Sequence, residues 1–322
     1  MHQDSKTREL SGLGWLFLIS MLTHIAGMIA VSFLPQKGII IPVEVNLVFS
    51  EISILVPSVI FILIRNYDFR RDLGFRPIKA GTVLMCILLT CFLTPVASFV
   101  NLLSQLFVSN TMAQNSDSLT GGSNMMVLFL GALYGPFCEE LLFRGIFCNR
   151  YEKYLGPMRA GLVSALFFAL AHMNLNQAAY AFVLGVIFAV VNKAGNSIYP
   201  SLIIHICINA SNIIVLFAIT KFADALGGKN AIAAAAEKAR LSDALYYMIG
   251  VTLVGAVICT AIAIPCIVWI SKHENNFEGL RDMFVNRHRS AGWLTIPAAL
   301  AIFIVLFLMF GFKPVINLVK GV

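Results

Sequence analysis

Nine apolar runs divide this chain, and they constrain its fold more than any single motif does. They lie near residues 11–34, 45–64, 81–107, 125–147, 160–172, 177–193, 198–220, 243–270 and 291–312. Most reach the roughly 18–25 residues that an α-helix needs to cross a hydrocarbon core of about 30 Å. The fifth, Ala160 to His172, is short and must be tilted, kinked or shielded by neighbours. Transmembrane β-barrels would instead show short alternating segments, and none is present. The expected fold is therefore all-α: a polytopic bundle of eight or nine spans around an intramembrane polar cavity, forming one transmembrane domain over residues 1–322. Composition agrees, with 59% hydrophobic and only 12% charged residues, against about 25% charged in soluble domains. The run from Leu10 to Leu34 is too long for a signal-peptide core and reads as a retained first span.

The net charge of +7 does not point to nucleic acid, because the basic residues gather in loops. Arg65, Arg70, Arg71, Arg76 and Lys79 form one cluster, Arg150, Lys153 and Arg159 a second, and Lys272, Arg281, Arg287 and Arg289 a third. With a cytoplasmic N-terminus all three fall on the cytoplasmic side, as the positive-inside bias requires. Lys221, Lys229, Lys238 and Arg240 fall on the outer side, where the Ala-rich stretch reads as an interfacial helix. The seven cysteines include no C-x-x-C pair and read as small apolar fillers.

Against this background a few polar residues stand out. Glu139, Glu140, Arg144, His172, His205 and Asn209 all lie in or at the end of apolar runs. An ionisable group at membrane depth costs at least about 2.5–3.5 kcal/mol on insertion scales, so such residues mark function by default. Glu139 and Glu140 are adjacent, about 100° apart on a helix, and cannot share one face. Glu140 and Arg144 are one turn apart and can pair, which leaves Glu139 free to face another neighbour. Phe168 sits one turn before His172 on the same face. His205 and Asn209 also project together from one helix face. Opposite a carboxylate helix, they resemble a site that activates water and stabilises an oxyanion. Glu51, in the second run, is expected to support the active-site helix or face a cavity. His24 and Glu44 are expected to be paired or interfacial.

Other hydrolase signatures are missing. There is no H-E-x-x-H for a zinc peptidase and no G-x-S-x-G for a serine nucleophile. No Gly-x-Gly-Asp string or aspartate pair lies in a span.

The strings that are present, E-E-x-x-x-R (Glu139, Glu140, Arg144), F-x-x-x-H (Phe168, His172) and H-x-x-x-N (His205, Asn209), resemble the three motifs of the CAAX-protease and bacteriocin-processing family. The resemblance covers residues 125–215, with Phe182, Gly185, Gly195-Asn-Ser-Ile198 and Pro200 also similar. It implies a catalytic core in that segment and a membrane-embedded endopeptidase that cuts a hydrophobic or lipidated, CAAX-like or small peptide with a glutamate-activated water. By position, Glu139 would be the general base and His172 would hold or polarise the water. His205 and Asn209 would stabilise the oxyanion, with Glu140, Arg144 and Phe168 in support. The cofactor stays open between none tightly bound and zinc, for which Glu139, His172 and His205 would be the ligands and water the fourth. Expected partners are the peptide substrate and membrane lipid, and the expected location is a bacterial plasma membrane. The alternative is a non-catalytic member of the same family, acting in self-immunity to a peptide toxin or as an adaptor. A transporter is disfavoured by the missing inverted repeats.

Overall fold

The computed structural model describes residues 2–34, 38–39, 41–225, 231–285 and 292–311. Lys229, Arg287 and Arg289, named above in the loops, lie outside the described residues. The chain runs α1 (His2–Phe33), α2 (Val43–Arg65), α3 (Ala80–Ser104), α4 (Asn124–Leu155), α5 (Pro157–Ala171), α6 (Leu175–Gly195), α7 (Tyr199–Ala225), α8 (Ala231–Arg240), α9 (Asp243–His273), α10 (Phe277–Val285) and α11 (Ile296–Leu306). Among the described residues there is no strand, and seven helices are long and apolar enough to cross a membrane. The two shorter apolar helices, α5 and α11, occupy the fifth and ninth apolar runs. The fold is thus all-helical and membrane-integral. The count of eight or nine spans becomes seven full-length helices and two short ones.

Loop contacts sort the ends of these helices into two faces. On one, Arg150 of α4 meets Asp72 at 2.7 Å and Glu9 of α1 at 2.9 Å, while Lys153 reaches Asp72 at 3.1 Å. Asn276 donates to the Lys193 carbonyl at 2.6 Å, and Arg76 donates to the side chain of Asn196. Burial of Asp72 opposes its ionisation. The Asp68 backbone N–H, Lys153 and Arg150 outweigh that and hold the carboxyl at about 2, below its ordinary 3.8. The clamp is therefore ionised at any working pH. On the opposite face Glu44 accepts from the Ser123 N–H at 2.6 Å, and Thr111 binds Asn174 and Asn176 at 3.1 and 3.0 Å.

The helix α4 is central. Within its most apolar window 56% of residues are buried, against 17% for α9, so α4 is walled by protein and α9 lies at the periphery of the bundle. Its course is irregular: π-helical stretches at Leu130–Tyr134 and Leu141–Cys148 flank an α-helical turn at Gly135–Glu140. Pro136 offers no N–H to the carbonyl one turn back, so regular hydrogen bonding cannot pass through it. Widened π turns are one way a helix absorbs such a break, and they recur at functional sites. Side chains from neighbouring helices take up nearby carbonyls. Asn209 Nδ2 donates to Gly131 O at 3.1 Å and Ser164 Oγ to Phe143 O at 2.6 Å.

Two apolar clusters fill the bundle. One joins α1, α2, α4, α5 and α11 through Leu13, Phe17, Phe143, Phe147, Phe167 and Phe168. The other joins α3, α6, α7, α9 and α10 through Leu89, Leu93, Phe188, Ile204, Ile208 and Ala263. Small residues let α5 and α6 cross closely between them. A Cβ on Gly185 would stand 2.9 Å from Ala165 Cβ and 3.2 Å from Arg144 Nη2. Close backbone approach of this kind supplies dispersion contact where lipid gives no hydrophobic driving force. The polar residues lie on the seam between the two clusters.

Candidate active site

Arg144 forms the floor of the site and is 1% exposed. Its guanidinium carbon lies 4.2 Å from the centre of the Phe168 ring and 5.0 Å from that of Phe188, one ring from each apolar cluster. Cation–π contacts strengthen when desolvated, to about 2 kcal/mol or more. Its Nη1 lies 3.2 Å from Glu140 Oε1 across one helical turn, as the i, i+4 spacing predicts.

Glu140 is fully engaged. Oε1 also takes His205 Nδ1 at 3.0 Å, and Oε2 accepts from Ser201 Oγ at 2.5 Å. Asn192 backs Ser201 twice, donating Nδ2 to its Oγ at 2.7 Å and accepting its N–H at 2.8 Å. With both oxygens committed and 1% exposure, Glu140 has no atom left for a reacting group.

Glu139 points the other way, as adjacent helical positions require. Its side chain is 17% exposed, and Oε2 lies 3.4 Å from His205 Nε2. The His205 ring therefore stands between the two carboxylates, Nε2 toward Glu139 and Nδ1 toward Glu140. Phe168 and Phe188 pack on it at 5.7 and 5.2 Å, fixing the ring plane.

His172 follows the last residue of α5. Its Nδ1 is 2.9 Å from the Phe168 carbonyl; a carbonyl only accepts, so Nδ1 carries a proton and Nε2 of the neutral ring keeps its lone pair. The Phe168 ring packs edge-on against both imidazoles, 4.9 Å from His172 and 5.7 Å from His205. Behind His172 the chain turns sharply, with Met173 at φ +53°, a left-handed conformation that non-glycine residues adopt only when held. Asn174 supplies the restraint. It donates to the His172 carbonyl at 2.8 Å and caps α6 through the Gln177 N–H at 2.8 Å.

Asn209, one turn beyond His205, has one amide N–H on Gly131 O. It thus lies along the Gly131–Gly135–Glu139 face of α4. The structure brings Glu139, Glu140, Arg144, Phe168, His172, His205 and Asn209 into one neighbourhood. Ser201, Asn192 and Phe188 belong there too and were not anticipated. Ser201 carried a usable signal, since it precedes His205 by one turn on the same face. His24 and Glu44 are paired as expected, His24 Nδ1 with Ser53 Oγ at 2.9 Å and Glu44 with the Ser123 N–H.

Among the described residues no three His, Cys, Asp or Glu side chains converge as a metal site requires. His205 Nδ1 is engaged by Glu140 and His172 Nδ1 by its own helix, so Nε2 is the nitrogen that each ring keeps for the site.

No curated protein and no solved structure matches this chain. Residues 121–211 do match the family model described as Rce1-like, type II CAAX prenyl endopeptidase Rce1-like. That segment runs from the start of α4 past Asn209 and holds all three motifs. Over residues 121–211, a little over a quarter of the chain, the sequence is thus similar to the type II CAAX prenyl endopeptidase Rce1-like family.

Proposed function

We propose that this protein is an intramembrane endopeptidase in which Glu139 activates water without a resident metal. The observation that carries this reading is the division of labour between the adjacent glutamates. Glu140 is spent on Arg144, Ser201 and His205, whereas Glu139 keeps a partly open carboxylate against the Nε2 of His205. A base must reach its proton within about 2.6–3.2 Å, directly or through one water, and Glu139 is the carboxylate with room for that.

In the proposed step Glu139 takes one proton from a water whose oxygen bonds to the scissile carbonyl carbon. The lone pair on His172 Nε2 accepts the other water hydrogen and orients the attack. The Nε2–H of His205, held only at 3.4 Å by Glu139, turns to the oxyanion together with the remaining Asn209 N–H, a type of contribution worth about 2.7–4 kcal/mol per donor in other enzymes. Collapse of the tetrahedral species breaks the C–N bond, and Glu139 passes its proton to the leaving amine. Arg144 and Glu140 hold α4 and His205 in register.

The substrate proposed is a hydrophobic or lipidated peptide presented from the bilayer, in keeping with a base on a lipid-embedded helix bundle. A bacterial plasma membrane is the proposed location. The N-terminus is cytoplasmic, on the face where Arg71, Arg76, Arg150, Lys153 and Lys272 gather.

The test is cleavage of a farnesylated C-terminal peptide by purified protein in bilayer nanodiscs, read by mass spectrometry. Turnover that survives prolonged chelation is expected. Loss on chelation with recovery on adding zinc would contradict the metal-free step, and no cleavage of prenylated or unprenylated hydrophobic peptides would favour the self-immunity or adaptor role.

A further inference from the structure

Glu51 of α2 lies outside the family segment, yet the fold carries it to the catalytic carboxylate. It packs over Gly135 of α4: a Cβ there would stand 3.4 Å from Glu51 Oε1 and 3.5 Å from its carboxyl carbon. Gly135 precedes Glu139 by one turn, so the two carboxyls line the same face of α4. The Oε2 atom of Glu51 is shut off from solvent and has no hydrogen-bond partner, although the residue as a whole is only half-buried, and Glu51 forms no ion pair among the described residues.

Several other groups face this pair. Tyr134 and Cys138 of α4 lie within electrostatic reach of Glu51, and Glu139 does as well. Glu140 and Arg144 act on Glu139 along α4, His205 contacts it from α7, and Tyr180 reaches it from α6. From α1, His24 is held by Ser53, two residues beyond Glu51, and lies within reach of His172 at the end of α5. The one guanidinium of this neighbourhood, Arg144, is enclosed by Glu140, Phe168 and Phe188. Among the described residues no free cation is left to balance a charge on Glu51. An enclosed carboxylate oxygen without a partner disfavours the charged form, and two carboxylates sharing one site cannot readily both ionise.

We propose that Glu51 is a positioning residue of this centre, a neutral carboxyl whose retained proton keeps a second negative charge away from Glu139 and from the oxyanion. The inference rests on Glu139 being the base. At rest Glu51 holds a proton and Glu139 the charge. The water's proton goes to Glu139 and on to the amine nitrogen, so Glu51 ends the cycle as it began and no further reactant is needed. Ionising Glu51 at high pH places a second negative charge beside the developing oxyanion and slows the reaction.

Two readouts test this. The first is the pH profile of kcat/KM for wild type and Glu51→Gln, a near-isosteric change that stays neutral at every pH. Glu51→Gln is expected to remain within about tenfold of wild type near the optimum and to lose the alkaline limb, or shift it up by about one pH unit or more. A purely structural role would lower the rate or the thermal midpoint without moving that limb. The second, independent of turnover, is infrared titration of protonated carboxyl groups in wild type, Glu51→Gln and Glu139→Gln. Separate steps in wild type should become one in Glu51→Gln, and Glu51 alone in Glu139→Gln should titrate at least about one unit below the upper wild-type step. Superimposable titrations in wild type and Glu139→Gln would overturn the pairing. If wild type cleaves nothing while the infrared coupling is present, the peptidase reading fails and the carboxyl pairing stands.

Discussion

Replacing Glu139 with glutamine is expected to lower kcat/KM by about 10²–10⁴-fold, the usual contribution of a general base. The carboxamide keeps the shape of the side chain and can still meet His205 Nε2, but it cannot accept a proton from water. Thermal stability should stay near that of wild type, because Glu139 is partly open and its His205 contact is long at 3.4 Å. Its neighbour provides the contrast. Glu140→Gln removes the anion facing Arg144 and should act mainly on folding, with any loss of rate following from a displaced His205. Purified variants in detergent or nanodiscs, measured for both cleavage and unfolding midpoint, separate these outcomes. Equal rates for wild type and Glu139→Gln would remove Glu139 from the chemistry.

The second large effect falls on stability. Arg144→Met should destabilise the protein by about 3–5 kcal/mol, the range seen when one member of a buried ion pair is removed. Methionine leaves Glu140 without its cation and gives up the stacking on Phe168 and Phe188. Arg144→Lys should recover only part of the loss, because an ammonium cannot present a flat face to both rings. The double variant Glu140→Gln, Arg144→Met should be more stable than Arg144→Met alone, since no buried charge is then stranded. Unfolding followed by circular dichroism under denaturant reads all three. A double variant no better than the single one would show that ring packing, and not the ion pair, carries the effect.

Much of this arrangement was legible in the sequence, and the reason is the membrane. Long apolar runs leave few fold classes open, and they make each polar residue conspicuous. The i, i+4 spacing of Glu140 and Arg144 foretold their pairing, and the 100° offset of Glu139 foretold its separate environment. Less visible was the bridging role of His205. Its contact with both glutamates depends on where α7 crosses α4, and helical periodicity carries no information on crossings. The same holds for Phe188, which reaches Arg144 because Gly185 brings α6 close to α5. The π-helical course of α4 was hidden too. Pro136 signals a break, but whether a break becomes a kink or widened turns is decided by neighbours such as Ser164 and Asn209. The hardest to place was Glu51, whose meaning depends on α2 packing against the turn that holds Gly135, some eighty residues away in the chain.

The proposal that Glu139 and His172 serve one reacting centre is tested directly by a double-mutant cycle in kcat/KM with Glu139→Gln and His172→Ala. Residues that serve one water act as a unit, so their losses do not multiply. The expected result is a double variant within about tenfold of the slower single one, with a coupling energy of at least about 1 kcal/mol. Independent losses that multiply, or a His172→Ala variant as fast as wild type, would mean that Glu139 and His172 do not act on the same water.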